Sequence, residues 1–259
     1  SNVAVTSDTT TMNGTYNLAG SSTTLSGGNL TFNAAATLGN LGALSISSGT
    51  LALNSGEAIS APSLTLSGGT ITGSDSLTVT GPTTKTGAGT ATIATPFTNT
   101  GTVDVQAGTL TLSGSVNNTG GTLKAGAGTT LTMSGSLGNF SAGTLTGGTY
   151  NVLGTMRLPT TSNIVTNAAT IILDGAGANL YNATSGTTDA LAGFTTNAAT
   201  GSFTVQNGRN FTTAGGFSNA GTLTVGSGST LTLSDSLTNF SAGTLTGGTY
   251  NVLGTMRLP

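Results

Sequence analysis

The sequence predicts an all-β fold, a parallel β-helix (β-solenoid) of about 20 residues per coil. Three observations predict it. The chain repeats itself at two nested periods. Its apolar residues alternate with Thr and Ser in short runs. Glycine is abundant, 42 of 259 residues, while charged residues make up 5%, against roughly 7% glycine and roughly 25% charge in ordinary soluble domains.

The long repeat is the most direct observation. Residues 121–159 align without gaps on 221–259, with 32 identities in 39 positions. The block FSAGTLTGGTYNVLGTMRLP stands at Phe140–Pro159 and again at Phe240–Pro259, which sets the long period at 100. A shorter unit sits inside it. Phe97-TNTGTVDVQAGTLTLSGS is followed by related segments opening at Val116 and Leu137, and Phe217 opens another ahead of Leu237. These openings recur at a spacing of roughly 20 residues, with about one to three residues of slack. One such unit has too few inward apolar side chains to bury them alone. Coils stacked about 4.8 Å apart bury them collectively, because every strand pairs with its neighbours above and below. Division of the chain by the unit gives about thirteen coils and a rod ~60 Å long.

The elements follow in chain order. Residues 30–55 and 63–81 are looser versions of the unit, with Leu64-Thr65-Leu66 as a clear strand. Thr109–Leu112, Thr130–Met133 and Thr222–Val225 alternate Thr with an apolar residue. Period-two alternation specifies a strand with one face inward, and β-branched Thr suits the outer face. Glycine pairs and Asn-Thr-Gly segments supply the turns. Asn99, Asn118, Asn139, Asn219 and Asn239 fall at equivalent turns and are expected to form an amide ladder. Residues 160–216 are less regular. There 171–175 and 202–205 read as strands, 181–189 reads as a loop, and the whole stays in the same solenoid with longer turns. The first copy of the long block runs on into Thr160, and the second shows no polar cap. Solenoids need such caps at natural ends, so the polypeptide or its assembly is expected to continue past both ends. The chain thus reads as one continuous solenoid segment over 1–259.

The TNTGTVDVQAGTLTLSGS-type unit, with its GGTY and GTL echoes, resembles the β-strand repeats of large bacterial surface proteins, the filamentous-haemagglutinin-like exoproteins and autotransporter passengers. The resemblance covers most of the chain and is clearest at 97–159 and 217–259. It implies a right-handed parallel β-helix, secretion across the outer membrane, and a role in adhesion or filament formation. No secretion-recognition domain or outer-membrane barrel is visible in the sequence, so the resemblance leaves the export route open.

The chemistry available is narrow. There is no His and no Cys, which excludes triads and metal sites built on imidazole or thiolate. The carboxylates are Asp8, Glu57, Asp75, Asp104, Asp174, Asp189 and Asp235. Some β-helix enzymes cleave polysaccharide with grouped Asp residues, and glycoside hydrolysis needs two carboxyls within roughly 5–9.5 Å. The interval from Asp174 to Asp189 is too short for the coil period, and that from Asp75 to Asp104 is too long. Neither pair stacks. Asp174-Gly-Ala-Gly-Ala-Asn179 is a single imperfect echo of a calcium-binding nonapeptide and reads as a glycine-rich turn. The five basic residues, Lys85, Lys124, Arg157, Arg209 and Arg257, are scattered singly, which disfavours nucleic acid. No apolar run is long enough to span a bilayer as a helix.

Tyr150 and Tyr250, with Phe140 and Phe240, recur with the coil and read as core aromatics ahead of a carbohydrate-stacking surface. Arg157 and Arg257 are the one repeated charge, with a solvated face as the default and a neighbouring chain as the alternative. Thr-x-Thr pairs at 109/111, 130/132, 144/146, 222/224, 230/232 and 244/246 raise an alternative reading, binding to an ice or crystal surface. Two of the pairs fall within one coil and therefore on different faces. The expectation is a non-enzymatic extracellular protein without catalytic, cofactor or metal sites: a stiff rod of a filament, matrix fibre or adhesin stalk at a bacterial surface. Self-association, end to end or lateral, is the expected partnership, with a cell-surface or carbohydrate ligand as the other candidate.

Overall fold

The computed structural model describes residues 2–258 and is all-β, with no helix among them. The alternation seen in sequence becomes alternation of burial. Thr109–Leu112 and Thr130–Met133 both turn their apolar residues inward and their threonines outward. Three such strands, joined by tight turns, make one coil, and the coils stack into three faces.

The first face is a fifteen-stranded sheet whose main path runs from Val3–Val5 to Thr249–Val252. The second is a nine-stranded sheet from Thr9–Tyr16 to Asn179–Asn182, resumed by three strands at 211–212, 230–232 and 255–257. The third is narrower, with four strands at 59–61, 77–79, 97–99 and 116–117. Coil-to-coil pairing is parallel throughout. Antiparallel contacts are local: two hairpins, at 140–145 and 240–245, and a bridge between Tyr181 and Asp189.

Following one inward position of the first face from Val3 to Tyr250 counts twelve coils, one fewer than division by the sequence unit predicts. Most steps keep the period read from sequence, as from Leu44 to Leu64 and Leu64 to Thr83. Three steps are longer: Leu123 to Tyr150, Ile171 to Phe203, and Leu223 to Tyr250. The extra residues leave the stack as hairpins and loops, and the strands on either side return to register. The irregular region behaves in this way. Its strand runs over Thr166–Asp174, longer than expected, and Tyr181 belongs to the strand Asn179–Asn182 instead of opening a loop.

The interior is one apolar cluster extending from Val5 to Leu237. Its members stack in columns, such as Leu44 on Leu64 on the first face and Ile59, Leu77, Phe97 and Val116 on the third. Fully burying one aliphatic side chain is worth roughly 1.5–3 kcal/mol, and each coil repeats the gain. Aromatics cluster beside the longest coil: Phe194 packs edge-on against Phe203 and Phe217, with centroids at 4.9 and 5.2 Å.

Polar residues interrupt the columns at several places, two of them in one coil. Thr83 pairs in register with Leu64 and Val103, and Lys85 with Leu66 and Val105. Both are fully buried. The Lys85 ammonium donates to the carbonyls of Gly87 and Ala107, the latter at 3.2 Å, and burial lowers its pKa. The Thr83 hydroxyl has no hydrogen-bond partner.

The corner between the third and first faces carries the amide ladder. Asn99 Nδ2 donates to Asn118 Oδ1 at 2.8 Å and to the Thr122 carbonyl at 3.0 Å. Higher up, Asn167 Nδ2 donates to Asn197 Oδ1 at 2.9 Å and to the Ser202 carbonyl at 3.1 Å. Asn197 Nδ2 repeats the pattern to Asn219 Oδ1 at 2.7 Å and to the Thr222 carbonyl at 3.0 Å. Asn99, Asn167 and Asn197 each therefore spend one N–H on the next amide and the other on the next coil's first-face strand. The ladder differs from the sequence expectation in membership. Asn139 sits in the 140–145 hairpin and donates to Tyr150 Oη at 2.7 Å, and Asn239 accepts the Asn219 backbone N–H at 2.6 Å. Asn167 and Asn197 take rungs in their place. Gly148 makes the ladder fit: it has φ +70°, and a Cβ there would collide with the Asn118 carbonyl.

Two stability outcomes follow from these contacts. Asn197→Ala removes a fully buried amide, leaving Asn219 Oδ1 without its donor and Asn167 Nδ2 without its acceptor, which should cost about 2–4 kcal/mol in urea unfolding. Lys85→Met replaces a buried ammonium lacking a carboxylate with an apolar side chain of similar length, and should raise stability by roughly 1–2 kcal/mol. Thermal or urea midpoints of the two variants against the parent chain measure both.

Candidate functional surfaces

The acidic residues are dispersed over the coils, and most are engaged locally, Asp8 by the Ser7 hydroxyl at 3.1 Å and Asp235 by the Ser236 N–H at 2.7 Å. Asp75 is buried. Its Oδ2 accepts the Ser55 N–H at 2.6 Å and hydroxyl at 2.8 Å, and its Oδ1 accepts the Gly56 N–H at 2.9 Å. It caps a turn of the preceding coil. Asp104 lies beside its register partner Lys124, with 3.2 Å between Oδ1 and Nζ, and accepts from Gln106 at 3.0 Å. Asp174 accepts Asn207 Nδ2 at 2.6 Å and Gln206 Nε2 at 3.0 Å. Asp189 accepts the Leu191 N–H at 2.8 Å. The Asp174–Asn179 turn gathers no common centre, because Asn179 Nδ2 turns to the Gly177 carbonyl at 3.0 Å. No group of three or more acidic, His or Cys side chains suited to a metal ion occurs among the described residues.

The concave features are shallow grooves between coils. One of about 550 Å³ lies at the corner of the first and second faces beside Gly128, Gly154, Gly177 and Asp174. Another of about 350 Å³ borders Glu57 and Asp75. The first holds the single carboxylate of Asp174, and in the second, where Glu57 and Asp75 of neighbouring coils meet, the Asp75 carboxylate is already taken by Ser55 and Gly56.

The aromatics and arginines singled out in the sequence separate into two environments. Tyr150 is fully buried, and burial pushes its hydroxyl up to about 12 despite the hydrogen bond from Asn139. Tyr250 is only partly buried, and burial moves it in the same direction. Arg157 is held by its own chain: its guanidinium carbon lies 5.1 Å from the Tyr181 ring centroid, and Nη1 donates to the Gly186 carbonyl. That contact replaces the solvated face expected for it. Arg257 is exposed, as is Phe240, whereas Phe140 is half-buried against the core.

The most ordered surface is the second face. Thr70, Thr92, Thr111 and Thr132 are register partners in succession. Thr90, Thr109, Thr130 and Thr155 form an adjoining column. Thr222 and Thr224 belong to the first face and Thr230 and Thr232 to the second, so the two pairs of that coil do lie on different faces. Comparison with protein-family models, with curated proteins and with solved structures gives no match.

Sequence reasoning misses the buried Lys85 and the rungs Asn167 and Asn197. Both have signals. Thr83-Thr84-Lys85 falls at the coil period from Leu64-Thr65-Leu66, and the string TNAAT occurs twice, at 166–170 and 196–200.

Tyr150 gives a pH test of the interior. Its hydroxyl ionises at about 12 in the fold against 10.0 ordinarily. The unfolded chain therefore releases this proton first as pH rises. The contribution of Tyr150 is complete below pH 10 and is lost as pH rises toward 12, with a ceiling of roughly 2–3 kcal/mol. Urea midpoints should fall across that interval, and Tyr150→Phe should flatten the fall. Absorbance titration should show one of the 4 tyrosines ionising late in the parent chain and missing from the variant.

Proposed function

We propose that this chain is a structural segment of an extracellular rod, serving as the shaft of a filament, matrix fibre or adhesin. One observation carries the reading: twelve coils pair edge to edge along a single axis around one continuous apolar cluster. Such a stack resists bending and proteolysis, because interior strands are hydrogen-bonded on both edges and inward side chains are covered by their neighbours. The nearly uncharged outer surface, with net charge −2, permits close approach of rods. The resemblance of the repeat units to bacterial surface proteins supports an extracellular location. Electron microscopy of producing cells, with an antibody to this segment, is expected to decorate fibres or stalks outside the cell envelope. Label confined to the cell interior overturns the proposal.

The threonine columns favour a second reading. In-register Thr every ~4.8 Å along the axis presents a regular hydroxyl and methyl lattice, which suits an ice or crystal surface. Thermal hysteresis in the purified chain, abolished by Thr92→Lys with Thr111→Lys, is the expected result under that reading. These side chains point outward, so the double variant should unfold within about 1 kcal/mol of the parent. Absence of hysteresis at high concentration eliminates it.

A further inference from the structure

The triplet Asn-x-Ser/Thr, which accepts a sugar on its side-chain amide, begins at Asn29, Asn117, Asn139, Asn182 and Asn210 of the interior coils, and the fold sorts them. Asn139 and Asn182 are buried with their nitrogens committed. Asn139 Nδ2 donates to the Thr146 carbonyl at 2.6 Å and to Tyr150 Oη at 2.7 Å, and Asn182 Nδ2 to Asn163 Oδ1 at 2.6 Å. Asn29 is exposed but sits in a strand paired on both edges, with Thr9 and with Thr50. Asn210 is exposed, and its Oδ1 is tied to the Thr230 N–H of the next coil at 2.8 Å. Asn117 is placed differently. It ends the strand Val116–Asn117, the last of the third face, and opens the turn to the first face. Its neighbour Asn118 is fully buried in the amide ladder, whereas Asn117 is exposed. Asn117 Oδ1 accepts the Thr119 N–H at 3.0 Å and the Thr119 hydroxyl at 2.8 Å, and its Nδ2 has no protein partner. Thr119 and Gly120 are exposed as well, and an open groove of about 370 Å³ beside them is bordered by Gly121, Gly147 and Gly148. Glycine at these places puts no side chain in the way of a reagent approaching the turn.

We propose that Asn117 is a glycosylation site, and that its partner is a sugar-transferring enzyme reading Asn117-Asn118-Thr119. The donor is a sugar activated at its anomeric carbon by a phosphate or pyrophosphate leaving group. Asn117 Nδ2 forms a bond to that carbon. The bond from the carbon to the phosphate oxygen breaks, its electron pair leaves with the phosphate, and one Nδ2 proton passes to a base of the enzyme. The two hydrogen bonds to Oδ1 draw electron density from the amide and make the Nδ2 protons more acidic. The acceptor is reached without unpairing a sheet, because residues 118–121 belong to no strand. A sugar here projects from the corner of the third and first faces, away from the threonine columns of the second. It adds a hydrated bulk to a shaft with little charge of its own, and it limits how closely rods approach at that corner. This deepens the rod reading, on which it rests, by naming a modification of the extracellular shaft.

The test uses the chain as the producing cells make it. Trypsin cuts after Lys85 and Lys124, so one peptide, 86–124, holds the site. Its mass is expected to exceed that of the sequence by one or more sugar residues, with fragment spectra placing the sugar on Asn117 and leaving Asn118 bare. Peptides holding Asn139 and Asn182 are expected at their unmodified mass. Expressed in the same cells, Asn117→Gln and Thr119→Val should each lose the added mass, and Thr119→Ser should keep it. Both side chains are exposed, and far-ultraviolet circular dichroism checks that the variants are folded. A native peptide 86–124 of unmodified mass overturns the proposal, as does added mass that survives Thr119→Val or lies on Asn118. Fibres outside the envelope with an unmodified peptide refute the glycosylation alone, whereas label confined to the cell interior refutes the rod reading, so the two failures are told apart.

Discussion

The structure depends on one constraint: each coil must set its inward side chains directly over those of the coil before it. Parallel strands pair along their whole edge only when the register is kept, and a one-residue slip would turn every inward residue outward. Everything else accommodates that requirement. Leu44 over Leu64 and Leu110 over Leu131 are its direct expression. The amide ladder enforces it at one corner, since Asn197 Nδ2 finds both Asn219 Oδ1 and the Thr222 carbonyl only in a single register. Hydrophobic columns are tolerant of small shifts, whereas directed amide bonds are not. The ladder thus adds specificity where the apolar interior alone supplies mainly energy.

Insertions show how strongly the register is held. Residues 137–149 and 183–201 lengthen their coils without disturbing the strands that follow. The first insertion folds into its own hairpin, and Asn139 at its base donates to Tyr150 Oη. The second brings Phe194 against Phe203 and Phe217. Extra chain is therefore accompanied by aromatic residues packed in the adjoining core. Loop closure costs grow slowly with length, so a solenoid tolerates such excursions as long as strands on either side regain their partners.

The coil, its strands and its alternation are legible in the sequence because they recur, and recurrence exposes a period without knowledge of any contact. What recurs with altered composition is less legible. Lys85 stands where Leu66 and Val105 stand, and a polar letter in an apolar column is easily taken for a break in the pattern. The rungs Asn167 and Asn197 are bonded across a coil much longer than the one between Asn99 and Asn118. A fixed period passes over them although their TNAAT context repeats. Arg157 escapes the sequence for a different reason. Its partner Tyr181 lies one coil ahead, in the strand pairing on the 155–158 segment. No local pattern announces a contact between outward side chains of neighbouring coils.

The duplicated block separates what sequence specifies from what position supplies. Identical residues give the same backbone in both copies: the hairpin at 140–145 and 240–245, the paired positive-φ glycines 147–148 and 247–248, and the strands that follow. Local conformation is thus written in the block itself. Burial is not. Tyr150 and Tyr250 sit in the same block, yet only Tyr150 has a described coil on each side, and its hydroxyl is enclosed between Asn118 and Asn139. In a stack where each unit touches only those above and below, a residue's environment is set by how many coils surround it. Interior coils are covered twice and the last described coil once, and the exposure of the two copies differs accordingly. The 77–96 coil carries Thr83 and Lys85 where its neighbours carry aliphatic side chains, so coils that are equally covered still differ in what they stack upon.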